Sequence, residues 1–286
     1  MKISEIKNIS VVGGGTMGNG IAHVFAQSGF NVNLVELNEK LLNIALDTIG
    51  RNLDRQVKKN IISDEDKKVI FSRINKVAGL ENTPANSDLI VEAIYENKDA
   101  KLSIFNQLNQ ITKESSIFTS NTSSISITEL SQTGRPDKFI GMHFMNPVPV
   151  MKLVEIVRGY STSDNTFNTI KDLAFKLGKT PVEVYDYPGF ISNRILMPMI
   201  NEAIFALMEN VASAEDIDTV MRLGMNHPMG PLTLADFIGL DVCLAIMEVL
   251  YNGFNDPKYR PCPLLKKMVA ANQLGRKTGE GFFKYK

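Results

Sequence analysis

The 286-residue chain is poor in several things that narrow a function early. It has two cysteines, Cys243 and Cys262, which form neither a metal spacing nor a disulfide framework, so a reducing compartment is the natural expectation. It has no surplus of either charge: Lys and Arg number 31 and so do Asp and Glu. That balance gives no reason to expect nucleic acid as a partner, although a local basic patch stays open. No stretch approaches the roughly 18 uninterrupted apolar residues of a spanning helix. The opening MKISEIKNISVVGGG lacks the apolar run of a signal peptide. The expectation is a soluble, cytoplasmic protein with no membrane contact. Histidine is scarce too, at three residues, so each is a candidate for chemistry.

What is present is ordinary globular composition, 44% hydrophobic and 22% charged, at a length that suits two domains. The first half alternates β-branched runs with helical patterns. Strands are predicted at 9–12, 32–36, 89–93, 117–120 and 139–143, with helices at 17–27, about 40–59 and 98–111. Strands separated by helices of this length imply crossover units and a parallel sheet. A further helix is predicted over 165–177, and PVEVYDY reads as a short strand. The pattern changes at Tyr187-Pro188-Gly189. Beyond it the spacing predicts helices at 191–208 (with a kink at Pro198), after Ser213 as cap, from 232 to about 250, and over 264–273. The reading is therefore an α/β fold: a Rossmann-like, mostly parallel sheet domain over 1–186, followed by a smaller all-helical domain over 187–286.

The segment SVVGGGTMGNG carries Gly13-x-Gly15-x-x-Gly18 between a predicted strand and a predicted helix. Gly13 suits the tight turn, Gly15 admits a pyrophosphate close to the backbone, and Gly18 lets helix and strand pack closely. Thr16 and Met17, at the helix start, join them as cofactor residues, because a helix N-terminus presents N–H groups to phosphate. Glu36 ends the second strand, 18 residues past Gly18. A carboxylate there accepts bonds from ribose hydroxyls and repels a 2′-phosphate, which favours NAD over NADP. Lys40 leaves room for NADP.

A nicotinamide enzyme that oxidises an alcohol needs a proton acceptor, and histidine suits it. His23 falls in the first helix and reads as structural; His227 lies in a loop. His143 closes a strand of the sheet, where ligands of such folds collect. Glu155, in the strand-like MKLVEIV, is the candidate to orient it. A satisfied core histidine and a solvated strand glutamate are the rival explanation, and spacing alone does not join the two.

At this point the motifs carry a resemblance. The glycine loop with Glu36, SNTSS at 120–124, HFMNPVPVMKLVE at 143–155, PGFISNR at 188–194, HPMGP at 227–231 and GRKTGEGFFKY at 275–285 together resemble the L-3-hydroxyacyl-CoA dehydrogenase family. They are most similar to its short bacterial 3-hydroxybutyryl-CoA members. The resemblance covers essentially the whole chain. It implies a Rossmann-like domain and a helical domain that carries a dimer interface. His143 then matches the catalytic base and Glu155 its partner. Ser123 matches the hydroxyl that contacts substrate oxygen, and Asn193 a second polar contact. Glu96 and Lys101 match positions near the nicotinamide ribose. Asn146 and Lys277 match further cofactor contacts, and Asn52 and Lys59 match positions that touch CoA. The implied reaction interconverts (S)-3-hydroxybutyryl-CoA and acetoacetyl-CoA with NAD, on a butyrate-forming route. The segment between Ser123 and His143 is a residue shorter than is common in the family, near SQTGRPD.

Blander roles stay open for several residues: a turn for Ser123, a self-bonded helix start for Asn193, a solvated face for Lys58-Lys59. The stripe Ile195–Met199–Ala203 suits either self-association or a core. Two other functions compete. One is a dehydrogenase of a different 3-hydroxy acid or of a longer 3-hydroxyacyl-CoA. Enzymes of sugar acids on this scaffold often use a catalytic lysine instead of a His–Glu pair. The other is a non-catalytic cofactor-binding protein on the same fold.

Overall fold

The computed structural model describes residues 2–285. The chain separates into two compact units, Met1–Asp186 and Tyr187–Lys286. In the first unit the elements run β1 (Asn8–Val12), α1 (Thr16–Gln27), β2 (Asn31–Glu36), α2 (Glu39–Lys58), α3 (Asp64–Ser72), β3 (Ile74–Ala78), β4 (Leu89–Glu92), α4 (Lys98–Ile111), β5 (Ile117–Ser120), α5 (Ile127–Leu130), β6 (Phe139–Phe144), β7 (Leu153–Arg158), α6 (Asp164–Lys176) and β8 (Thr180–Tyr185). The strands form one eight-stranded sheet in the order β3-β2-β1-β4-β5-β6-β7-β8. All neighbours are parallel except β6 and β7. Strands β1, β2 and β4 to β7 are buried along most of their length, as two-sided packing requires.

Local sequence sets these boundaries. Asn38 caps α2 by accepting from the Leu41 amide at 3.1 Å, and Asn97 caps α4 through the Ala100 amide at 2.9 Å. Gly29, at φ +93°, turns the chain out of α1 into β2. The first core beneath α1, α2 and α6 is mainly aliphatic, with Phe25, Phe30 and Phe167 among its members. Under α4 it is aromatic, where Phe105 stacks against Phe118 and meets Phe139 edge-on at 4.7 Å. Strand β3 was not expected from the sequence. It is one edge of the sheet, with Asn75 and Lys76 exposed, so it lacks the apolar run that marks its neighbours.

The second unit is helical: α7 (Ser192–Met208), α8 (Ala214–Thr219), α9 (Pro231–Ile238), α10 (Leu240–Phe254) and α11 (Pro263–Ala270). Helix α7 runs through Pro198 without a break. Ser213 caps α8 by accepting from the Asp216 amide at 3.1 Å. The single helix expected over 232–250 is two helices. Gly239 adopts φ +105°, a left-handed conformation that ends α9 and restarts the chain as α10. The stripe Ile195–Met199–Ala203 also divides, since Ile195 is 67% exposed while Ala203 joins the core. That second core contains both cysteines, fully buried. No helix among the described residues is long and apolar enough to cross a membrane.

Candidate active site

The carboxyl ends of the parallel strands gather most of the predicted residues of the first unit. The glycine loop follows β1. Gly13 has φ +97°, and a Cβ there would lie 2.8 Å from the Ala93 carbonyl. A Cβ on Gly18 would fall 1.7 Å from the Gly13 carbonyl oxygen, so no side chain fits. Gly15 faces open space and stands at the N-cap of α1, where no side chain caps the helix. Thr16 and Met17 are the first two residues of that helix. A cavity of about 320 Å³ opens there, lined by Gly14, Gly15, Thr16, Asn52 of α2 and Asn146 of the β6–β7 loop, among others. Glu36, at the end of β2, accepts from the Gly14 amide at 2.7 Å and the Leu37 amide at 2.9 Å. Lys59 is the C-cap of α2, exposed, and outside that cavity lining.

A second cluster forms where β4, β5 and β6 end. The antiparallel register of β6 and β7 sets His143 directly opposite Glu155. His143 Nδ1 and Glu155 Oε2 are 2.7 Å apart, and both residues are buried. An ionised carboxylate only accepts, so Nδ1 carries the proton and Nε2 presents its lone pair outward. Ser123 Oγ lies 3.1 Å from that Nε2. Asn121 fixes the loop to β6 by accepting from the Phe144 amide at 2.9 Å.

Glu96 gathers the loop that carries Ser123. One of its oxygens accepts from Thr122 Oγ1 at 2.6 Å, the Ser123 amide at 2.9 Å, the Ser124 amide at 3.1 Å and Ser124 Oγ at 3.0 Å. Its other oxygen is 3.4 Å from Lys101 Nζ. Burial is the largest single influence on the Glu96 carboxyl and opposes its charge, but Lys101 and the loop donors together outweigh it. Lys101 and the loop donors hold its carboxyl below the usual carboxylate range. Lys101 is itself buried, 2.6 Å from Glu92 Oε1.

Asn193 and Lys277 belong to the second unit. Asn193 is buried in the first turn of α7, its amide bonded to the Gly189 carbonyl at 3.1 Å. Lys277 forms an ion pair with Asp241. Three polar residues of the β4–β5 region receive no role from the sequence: Glu92, and Ser120 and Asn121 of the SNTSS motif. For Glu92 a signal existed, a carboxylate closing the apolar run DLIVE, the same kind that drew attention to Glu155.

Comparison with known proteins follows the same two-part division. The model of the 3-hydroxyacyl-CoA dehydrogenase NAD-binding domain matches residues 8–187, and that of the family's C-terminal domain matches residues 189–285. A probable 3-hydroxybutyryl-CoA dehydrogenase of Deinococcus radiodurans is 56% identical over 96% of this chain and 99% of its own. The 3-hydroxybutyryl-CoA dehydrogenase of Bradyrhizobium diazoefficiens is 52% identical over 98% of this chain and 96% of its own. The crystal structure of (S)-3-hydroxybutyryl-CoA dehydrogenase from Ralstonia eutropha superposes with a TM-score of 0.95 at 50% identity, covering 98% of this chain and 99% of that one.

Proposed function

This chain belongs to the 3-hydroxyacyl-CoA dehydrogenase family, and on that premise we infer that it interconverts (S)-3-hydroxybutyryl-CoA and acetoacetyl-CoA with NAD(H). The observation that carries this reading is the line Ser123 Oγ–His143 Nε2–Glu155, at 3.1 Å and 2.7 Å. It offers one lone pair for a hydroxyl proton and one carboxylate to stabilise the imidazolium that results.

The glycine loop fits the dinucleotide. Gly18 excludes any Cβ, Gly15 faces open space, and the uncapped start of α1 offers N–H groups beside a cavity. Gly13, Gly15, Thr16, Met17 and Gly18 would hold the pyrophosphate, Glu36 the adenosine ribose, and Asn146 and Lys277 further parts of the cofactor. When bound, the nicotinamide supplies or accepts the hydride at C3 of the substrate. Ser123 is assigned to the 3-oxygen, and the family resemblance assigns Asn193 a second polar contact to substrate. His143 takes the hydroxyl proton at Nε2 during oxidation and returns it during reduction. Glu155 keeps Nδ1 protonated throughout, so Nε2 alone exchanges a proton with substrate. Asn52, which lines the cavity, and Lys59 are assigned to the CoA moiety.

Two further parts of the proposal concern the molecule as a whole: it is a homodimer joined through the helical unit, and it works in the cytoplasm. Exposed apolar side chains in that unit, including Val220, Leu223 and Met225, support the first part.

The test is direct. Purified protein is mixed with acetoacetyl-CoA and NADH, then NADPH, and the absorbance of the reduced nicotinamide is followed. Rapid oxidation of NADH, with NADPH slower, is expected. A protein that binds NADH and oxidises neither cofactor would remove the reading.

A further inference from the structure

Glu92 has no role in the reaction just described, yet it is the most enclosed carboxyl near the site, with no exposed surface; burial raises its pKa, against the hold of Lys101, Ser120 and the Ile94 amide. It is the last residue of β4 and pairs with Val12 of β1 on one side and Ser120 of β5 on the other. It therefore stands between the strand that feeds the glycine loop and the strand that feeds the Ser123 loop. Its Oε1 accepts from Lys101 Nζ at 2.6 Å and from the Ile94 amide at 2.7 Å. Its Oε2 accepts from Ser120 Oγ at 2.5 Å. Its own carbonyl accepts from the Asn121 amide at 2.8 Å.

Lys101 sits between two carboxylates and is unequally shared. It lies 2.6 Å from Glu92 but 3.4 Å from Glu96. That inequality leaves Glu96 free to spend its other oxygen on the four donors of Thr122, Ser123 and Ser124. A buried ammonium must have a counter-charge or lose its proton. With Glu92 neutral, the nearest remaining anion is Glu96, and its carboxylate would be drawn toward Lys101 and away from the loop.

We propose that Glu92 is a positioning residue for the reaction: by holding the Lys101 ammonium it keeps Glu96 available to the loop that aims Ser123 at His143. The assignment rests on the dehydrogenase reading for its consequence in turnover, but not for its consequence in loop order. The influence passes along one bonded line, Glu92–Lys101–Glu96–Ser123–His143, each member named above by its contact. Lys101 is thus held for a second purpose besides any contact with cofactor.

The experiment is amide hydrogen exchange on the full-length protein, with steady-state kinetics alongside. In Glu92→Gln, exchange at Ser123 and Ser124 is expected to quicken about tenfold, equivalent to roughly 1.4 kcal/mol of local protection. The Asn121 amide, bonded to the backbone carbonyl of Glu92, should stay near its wild-type rate. Turnover of acetoacetyl-CoA should fall by a similar factor, with the KM for NADH moving less. The distinguishing outcome is rescue. Adding Lys101→Met removes the ammonium that competes for Glu96, so the double variant should recover the protection of Ser123 and Ser124. Unchanged exchange in Glu92→Gln, or a gain in exchange that Lys101→Met leaves in place, overturns the proposal. Should the single variant not fold, the double variant, which buries neither charge, still decides: exposed Ser123 and Ser124 amides in it overturn the assignment. A wild-type protein inactive toward acetoacetyl-CoA would count against the substrate reading alone, because the exchange result stands apart from it.

Discussion

At the scale of single residues the chemistry turns on contacts that sequence spacing could suggest but not establish. His143 and Glu155 are 12 positions apart, a distance equally compatible with contact or with opposite ends of a loop. The register of β6 against β7 decides between these, because it places the two residues face to face. Replacing His143 by Gln should lower kcat by about 10²–10⁴-fold while the Kd for NADH, read by fluorescence titration, stays near wild type. Near-full turnover in that variant would show that another group moves the proton. His23 makes the opposite case. It reads as structural from its place in the first helix, and it is wholly buried with neither ring nitrogen bonded. Gln27 and Gln56 flank the ring without reaching hydrogen-bond geometry. Burial lowers its pKa below the ordinary 6.5, against the pull of those two amides. The folded protein therefore holds His23 neutral. Its contribution to stability is present above the unfolded value, about 6.5, and is lost as pH falls from there through the lower folded value. Urea melts at several pH values should show this loss, and His23→Leu should flatten that part of the profile. An unchanged slope in the variant would mean that other groups govern acid stability.

At the scale of elements, legibility followed how each segment is buried. Strands β1, β2, β4, β5 and β6 are buried nearly throughout and read clearly as apolar runs. The exposed edge strand β3 did not. The break at Gly239 was also missed, because a lone glycine in a helical pattern is tolerated often enough to be read through. One element-level device had no sequence signal at all. Lys179, on the turn after α6, is buried and donates to the Val148 carbonyl at 2.5 Å and the Met151 carbonyl at 2.7 Å. It ties down the β6–β7 loop, whose Asn146, Pro147, Val148 and Pro149 line the cavity beside the glycine loop. Burial lowers the Lys179 pKa. Lys179→Met should loosen that loop and weaken NADH binding by about tenfold, in keeping with the 1.5–3 kcal/mol typical of a hydrogen bond to a charged group. Titration of NADH fluorescence would read it, and unaltered affinity would mean the loop holds its shape without the lysine. Gly18→Ala belongs here too, since its Cβ would collide with the backbone that joins β1 to α1. Lost cofactor binding or lost folding is expected, and a folded variant with wild-type NADH affinity would contradict the packing argument.

At the scale of the whole molecule, the family assignment was legible because six motifs fall in order along the chain. Whether a partner covers the helical unit was not legible, because apolar stripes serve a core and an interface alike. The proposed homodimer predicts a mass of twice 31.7 kDa by light scattering, and a mass of one chain would remove it. The two cores are separate in sequence: one is built from residues 6–177, the other from residues 197–268. Both thiols lie in the second. Burial pushes the Cys243 thiol up to about 12 and raises that of Cys262 as well. Neither is a thiolate at neutral pH, and neither meets solvent, so the folded chain is silent to alkylating reagents. Silence of that kind makes the two sulfurs a built-in clock. Their rate of labelling counts openings of the helical unit alone, since the cofactor-binding unit contains no cysteine to label.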